Sequence, residues 1–334
     1  MEYYYSKLSS REQIVYKKMI TAITNGAQTI RIEPCFTGEP IQKIMWAIDH
    51  DHPELFYFDF CQMKMLYDSS KVVCHLNYRV NPAMRQAAIN DINRKANAIL
   101  DLMKAQQYQT DFEKCRWIHN YLVKNIHYDY EAYKSHSQDS FPEAHSIVGV
   151  FVNKRAVCEG ISKAFKYLCD KLQIEASIAC GIARLEDLGE NNRHAWNIVK
   201  LGDEYTHIDV TWDLCLSQSI KFTRYDYFCL PDSSMQLDHV YHDYPACSTD
   251  RWSYYRRTNK LFSNTKDLNQ YLKRELKQGN KIIYFKTTPS IVGSDWKEAI
   301  TKRVEVTFSR YCKYPWTCVA VFNENQYCFF CRIE

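Results

Sequence analysis

The stretch from Asn153 to Asp213 limits what this chain can fold into more than any other. It reads Asn153-Lys154-Arg155-Ala156-Val157-Cys158-Glu159-Gly160, then Arg193-His194-Ala195-Trp196-Asn197, then Thr206-His207-Ile208-Asp209-Val210-Thr211-Trp212-Asp213. From Ile161 onward the apolar residues Ile161, Ala164, Phe165, Leu168 and Leu172 recur at helical spacing, which predicts a helix with Cys158 at or just before its first turn. Unpaired N–H groups and the positive end of the helix dipole favour a thiolate there, and the thiolate is the nucleophilic form of cysteine.

Two segments downstream read as strands, His194 to Lys200 and Tyr205 to Trp212, joined by a turn at Gly202-Asp203. A two-residue turn pairs His194 with Thr211 and puts Asp209 two residues further on the same face, so the imidazole and the carboxylate can meet. A helix-tip thiol, a strand histidine and a carboxylate that orients it form the Cys-His-Asp arrangement of nucleophilic acyl transfer.

With these residues in order, the chain resembles the transglutaminase-like superfamily, in a bacterial branch with a long N-terminal extension. The resemblance rests on Cys158, His194-Ala195-Trp196-Asn197 and Asp209-Val210-Thr211-Trp212-Asp213, with a hydrophobic strand before the cysteine and a helix after it. It implies Cys158 as nucleophile, His194 as base and Asp209 as the residue that orients the base. It also implies a papain-like α+β fold, with a cysteine-bearing helix packed on an antiparallel sheet. The expected activity is acyl transfer or hydrolysis of a protein or peptide amide through a thioester. The alternative is a catalytically silent scaffold that keeps the fold and binds without reacting. No cofactor is implied, and no calcium-loop pattern is present to carry over the calcium dependence of animal transglutaminases.

Each catalytic candidate has a rival. Free cysteines are commonly small buried core residues. Asp209 has an ordinary strand-edge charge as its alternative, and Asp213 is the competing carboxylate at the expected strand end. His207 shares the strand and face of Asp209 and would reach it after a register slip of two, while His145 precedes the cysteine. The Cys158 N–H is a candidate oxyanion donor. Val152 stands where a papain-type enzyme has its second donor, a glutamine six residues before the cysteine, so that donor is unassigned. Trp196 reads as core packing, with the cleft wall as the alternative.

The net charge of +4 comes from 43 basic and 39 acidic residues scattered along the chain, so no patch points to nucleic acid. Met1 to Lys7 has no basic segment followed by an apolar run, and no stretch approaches membrane-spanning length. Fourteen cysteines without a signal peptide fit reduced thiols in a cytoplasmic protein. The expected partner is a protein or peptide substrate, with neither membrane nor nucleic acid, and no pattern specifies an oligomeric state.

Three regions are expected: an N-terminal α+β extension over 1–107, a catalytic core over 108–245 and a small C-terminal α+β unit over 246–334. The extension contains a capping box at Ser10-Arg11-Glu12-Gln13, a helix opened by Pro40, and strands at Phe56 to Phe60 and Lys71 to Val80. His50, Asp51 and His52 read as a polar connection, since their spacing fits no metal pattern. A helix from Pro82 to Ala105 precedes a second capping box at Thr110, and His119 on the following helix reads as a satisfied core residue. Tyr128 to Glu143 reads as a surface loop and Ile147 to Val152 as a strand. Residues 221–245, with Asp238-His239, read as packing over the catalytic sheet. The C-terminal unit is expected to hold helices over Asp267 to Lys277 and Asp295 to Arg303. Its expected strands are Lys281 to Lys286, Val304 to Phe308, Thr317 to Phe322 and Tyr327 to Ile333. Cys328 and Cys331 fall on opposite faces of the last strand, which disfavours zinc.

Overall fold

Capping decides where the first helices begin. Ser9 and Glu12 close a reciprocal box at the start of the Ser10–Thr24 helix, one residue before the expected Ser10. Gly38, at φ +71°, turns the chain into the Glu39–Asp51 helix, with Pro40 in its first turn. Strands β1 (Thr29–Ile32), β2 (Phe58–Asp68) and β3 (Lys71–Tyr78) form an antiparallel sheet in the order β1-β3-β2. Met19, Ile41, Ile44, Ile48, Phe58 and Val72 fill the core between these helices and the sheet. This computed structural model describes residues 2–68, 70–135, 139–184, 193–291, 295–312 and 317–334.

The Pro82–Lys104 helix leads to the Asp111–Asn125 helix, which opens with the expected box between Thr110 and Glu113. Strands β4 (His127–Tyr128) and β5 (Arg155–Ala156) pair in parallel and bring the chain to the helix Cys158–Lys171. Two readings fail on the way. The supposed loop contains a helix at Tyr130–Ser135, and its residues 136–138 lie outside the described ones. The supposed strand Ile147 to Val152 is helical, with a wide π-helical turn over Gly149–Asn153 closed by Lys154 at φ 56°. A short apolar run has no period of its own, and burial of Ile147, Val150 and Phe151 suits either geometry.

The Cys158–Lys171 helix packs on a five-stranded antiparallel sheet, order β10-β6-β7-β8-β9. Its strands are β6 (Ala176–Ala183), β7 (Arg193–Leu201), β8 (Glu204–Ile208), β9 (Phe228–Leu230) and β10 (His239–Val240). This is the α+β, cysteine-helix-on-sheet architecture expected of the sequence. Gly202, at φ +62°, makes the two-residue turn, and Leu201 pairs with Glu204 as the turn requires. The strand nevertheless ends at Ile208, not Trp212: Asp209 caps a helix, Val210–Ile220, by accepting a hydrogen bond from the Trp212 N–H. Residues 221–245 do more than cover the sheet, since β9 and β10 are its two edges.

At the C-terminal end, β11 (Leu261–Phe262), β12 (Ile282–Thr287), β13 (Cys318–Asn323) and β14 (Cys328–Ile333) form a second sheet against helices Thr265–Lys277 and Trp296–Tyr311. The expected strand Val304 to Phe308 is the second half of that last helix. Trp296, Ile300, Val304 and Phe308 are buried at intervals of four, a helical stripe that outweighs the β-branched composition. Cys331 joins the core of this unit whereas Cys328 joins the central one, so the two thiols serve different interiors. Among the described residues no disulfide forms, and no helix is long and apolar enough to cross a membrane.

Candidate active site

Cys158 opens its helix after Val157 in extended conformation, so its N–H and those following lie in the first turn, where no intrahelical acceptor exists. The start of the helix is pressed against the preceding loop. A Cβ on Gly160 would lie 2.3 Å from the Ala144 carbonyl oxygen, a contact only glycine permits. Cys158 keeps partial solvent access and lines a cleft of about 1230 Å³ together with His194, Gly181, Tyr133 and Glu159.

His194 begins β7 and is 8% exposed. Its Nε2–H donates to Asp209 Oδ2 at 2.6 Å, and the Cys158 thiol hydrogen-bonds the same ring, which leaves Nδ1 as the nitrogen toward the sulfur. The three residues singled out in the sequence are therefore brought together. Asp209 gets there as a helix cap, with Oδ1 on the Trp212 N–H at 3.1 Å, and not as the strand residue expected. Burial opposes a charge on His194, but the Asp209 carboxylate and the Cys158 thiol outweigh it and raise the imidazole to about 10. Burial likewise opposes ionisation of Asp209, yet His194 and His239 hold it well below the usual carboxylate range.

His239 is the member the sequence reading missed. From β10 its Nε2 meets Asp209 Oδ2 at 3.3 Å, and its Nδ1 meets Asp238 Oδ1 at 2.7 Å. Asp238 in turn accepts from the Tyr227 hydroxyl at 2.7 Å and from Gln326 Nε2 at 3.0 Å, the latter from the turn between β13 and β14. A buried chain of polar groups thus runs from the C-terminal unit to the His194–Asp209 pair. The only sequence signal was the doublet Asp238-His239, 30 residues beyond Asp209.

Tyr128 was also missed. It pairs with Ala156 across the short β4–β5 ladder, two residues before the cysteine. Burial first, then the nearby Cys158 thiol, push its hydroxyl far above the usual range, so it stays a protonated donor.

The rivals resolve into structural partnerships. His207 bonds Asp232 at 2.9 Å and receives the Trp196 indole N–H at 3.0 Å, with Trp196 buried as expected. His119 bonds Asp213 at 2.9 Å in the core, and Asp213 lies in a helix and not in the turn expected for it. His145 Nδ1 meets Glu159 Oε2 at 2.8 Å. Burial disfavours ionised Glu159, but Lys163 and His145 hold it below its ordinary range. Lys163 also bridges to Asp49 at 2.8 Å, which ties the N-terminal region to the Cys158 helix. The supposed polar connection at His50 to His52 is partly structural: Asp51 is buried and accepts from the backbone N–H groups of Tyr4 and Tyr5 and from the Tyr16 hydroxyl. Of the other thiols near the site, Cys180 is raised by burial and by Glu159, and Cys215 is pushed up to about 11 by burial.

Residues 101–210 match the core of the transglutaminase-like superfamily. Two solved chains are similar. One is described as a TGase, with 14% identity and a TM-score of 0.32, covering 55% of this chain and 50% of its own length. The other, from Cytophaga hutchinsonii, is provisionally described as a cysteine protease, with 13% identity and a TM-score of 0.28, covering 45% of this chain and 61% of its own. No curated protein matches the chain in sequence. The segment that carries Cys158, His194 and Asp209 is the part of the chain that matches the transglutaminase-like superfamily.

Proposed function

We propose that the protein is a cysteine-dependent acyl transferase or hydrolase acting on a protein or peptide amide. The observation that carries the reading is one imidazole held on one side by a buried carboxylate at 2.6 Å and hydrogen-bonded on the other to a helix-tip thiol that opens into a cleft. Cys158 and His194 stand as a thiolate–imidazolium pair, with the proton on the ring and the ring held by Asp209. The thiolate sulfur attacks the acyl carbonyl carbon. As the C–N bond breaks, the departing amine takes the proton back from His194. Water or an incoming amine, deprotonated by His194, then displaces the sulfur from the thioester and restores the thiolate–imidazolium pair. The Cys158 N–H and the Tyr128 hydroxyl serve as the two oxyanion donors.

The test is alkylation by iodoacetamide at pH 6.5, read by peptide mass spectrometry. Cys158 should react ahead of the other thirteen cysteines, and His194→Ala should slow it by about a hundredfold, within the range for a positioned base. Uniform labelling of the exposed thiols would leave the non-catalytic scaffold. Thioester turnover with and without a fluorescent primary amine then separates hydrolysis from transfer.

A further inference from the structure

We propose that the N-terminal wall of the cleft is a subsite for one large apolar side chain of a peptide acyl donor, with Trp46 as its platform; the proposal rests on the acyl-transfer reading above. The Glu39–Asp51 helix and β2 line the same cleft as Cys158 and His194. Trp46 from that helix is 43% exposed, and Ile182 on β6 is 50% exposed. Met63 and Met65 on β2, half-buried, line the same space.

The indole is exposed but not loose. Tyr4 packs edge-on against it at 4.5 Å, and His50 lies 4.2 Å from it on another side. His50 is itself fixed through Nδ1 to the Trp46 carbonyl at 2.9 Å, and Tyr4 through its hydroxyl to the Ile178 carbonyl on β6 at 2.5 Å. A rigid aromatic surface has little rotamer entropy left to lose, so covering it yields most of its transfer free energy as binding. Methionines beside it adapt to the shape of what enters.

Among the described lining residues, the inner carboxylates Asp49 and Glu159 are both bound by Lys163, while Asp139 and Arg193 are exposed and of opposite charge. A cleft of about 1230 Å³ is larger than the roughly 300–1,000 Å³ that enclose a small ligand, and it suits an extended peptide. An apolar side chain on that peptide would cover the indole while its carbonyl reaches the sulfur.

The experiment uses the full chain and acetyl-dipeptide acyloxymethyl ketones with leucine at either position, against Gly-Gly and Asp-Gly counterparts, with iodoacetamide as an unguided alkylator. Rates of Cys158 modification are read by mass spectrometry. The better leucine probe should exceed Gly-Gly by at least about tenfold, the size expected for burying one such side chain. Trp46→Ala should erase most of that preference, read as the ratio of leucine to Gly-Gly probe rates within the same variant. Ile182→Thr, at a solvent-exposed site, should reduce the preference without disturbing the fold. Equal rates for leucine and glycine probes, or a leucine preference that survives Trp46→Ala, would overturn the subsite alone. Loss of Cys158 selectivity toward iodoacetamide in the unaltered protein would overturn the acyl-transfer reading and the subsite with it.

Discussion

Asp209 divides its two oxygens between architecture and chemistry: Oδ1 holds the start of a helix, and Oδ2 is shared by two imidazoles. Asp209→Asn separates these duties, because an asparagine oxygen caps a helix as well as an aspartate does. The substitution leaves His194 and His239 facing an amide, and losing one partner of a buried pair costs about 3 kcal/mol or more. Its pH dependence has a definite sign. His194 at about 10 lies above the ~6.5 of an unfolded histidine, so its contribution is complete below about 6.5 and is lost as the pH climbs to 10. Asp209 is depressed, so its share is complete above the ~3.9 of an unfolded aspartate and is lost on acidification. Urea unfolding should therefore show the largest gap between Asp209→Asn and the parent protein near pH 5, closing toward pH 10. A gap that stays constant would mean the pair is not ionised. At this scale the meeting of Cys158, His194 and Asp209 was legible because each sits in a distinctive local context. His239 and Tyr128 were not, because each acts across a two-residue ladder whose partner is set by the fold and not by neighbouring sequence.

Among the elements, β10 is the most exposed to disruption, since it is two residues long and delivers His239. It lies across β6 at Gly181, where an added Cβ would sit 2.3 Å from the Val240 carbonyl oxygen and 2.9 Å from the Trp196 ring. Neither a backbone oxygen nor a buried indole can step aside cheaply. Gly181→Ala should cost about 1–3 kcal/mol in thermal or urea unfolding, the usual cost of overpacking. It should also lift β10, seen as loss of amide protection at Val240 and a changed His239 imidazole signal in NMR spectra. Unchanged protection at Val240 would show that the edge tolerates the methyl group. The same scale explains the misread elements. Long amphipathic helices and the Gly202 hairpin declared themselves by period and turn chemistry. Ile147 to Val152 and Val304 to Phe308 are short apolar or β-branched runs, whose geometry tertiary packing decides.

Across the whole molecule, the candidate site is held from both ends of the chain. On one side Tyr4 reaches Ile178, and Lys163 is shared between Asp49 and Glu159. On the other, Gln326 reaches Asp238 and Asn323 reaches Asp226 at 3.1 Å. Gln326→Leu should cost about 1–3 kcal/mol, because the buried Lys286 ammonium loses its Oε1 acceptor and Asp238 loses one of its donors. It should also alter the pH profile of Cys158 alkylation although residue 326 lies far from the sulfur in sequence, and a profile identical to that of the parent would show that the polar chain carries no influence. Such long-range ties have no local signature, which is why both ends read as appendages in the sequence.

The clamp through Tyr4 also bears on the order of assembly. Its acceptor, the Ile178 carbonyl, lies 174 residues downstream, and its hydroxyl neighbour Tyr244 lies 240 residues downstream. Contacts so distant close only after the intervening loop entropy has been overcome. Tyr4 therefore reaches its partners only after the residues up to Tyr244 have been made.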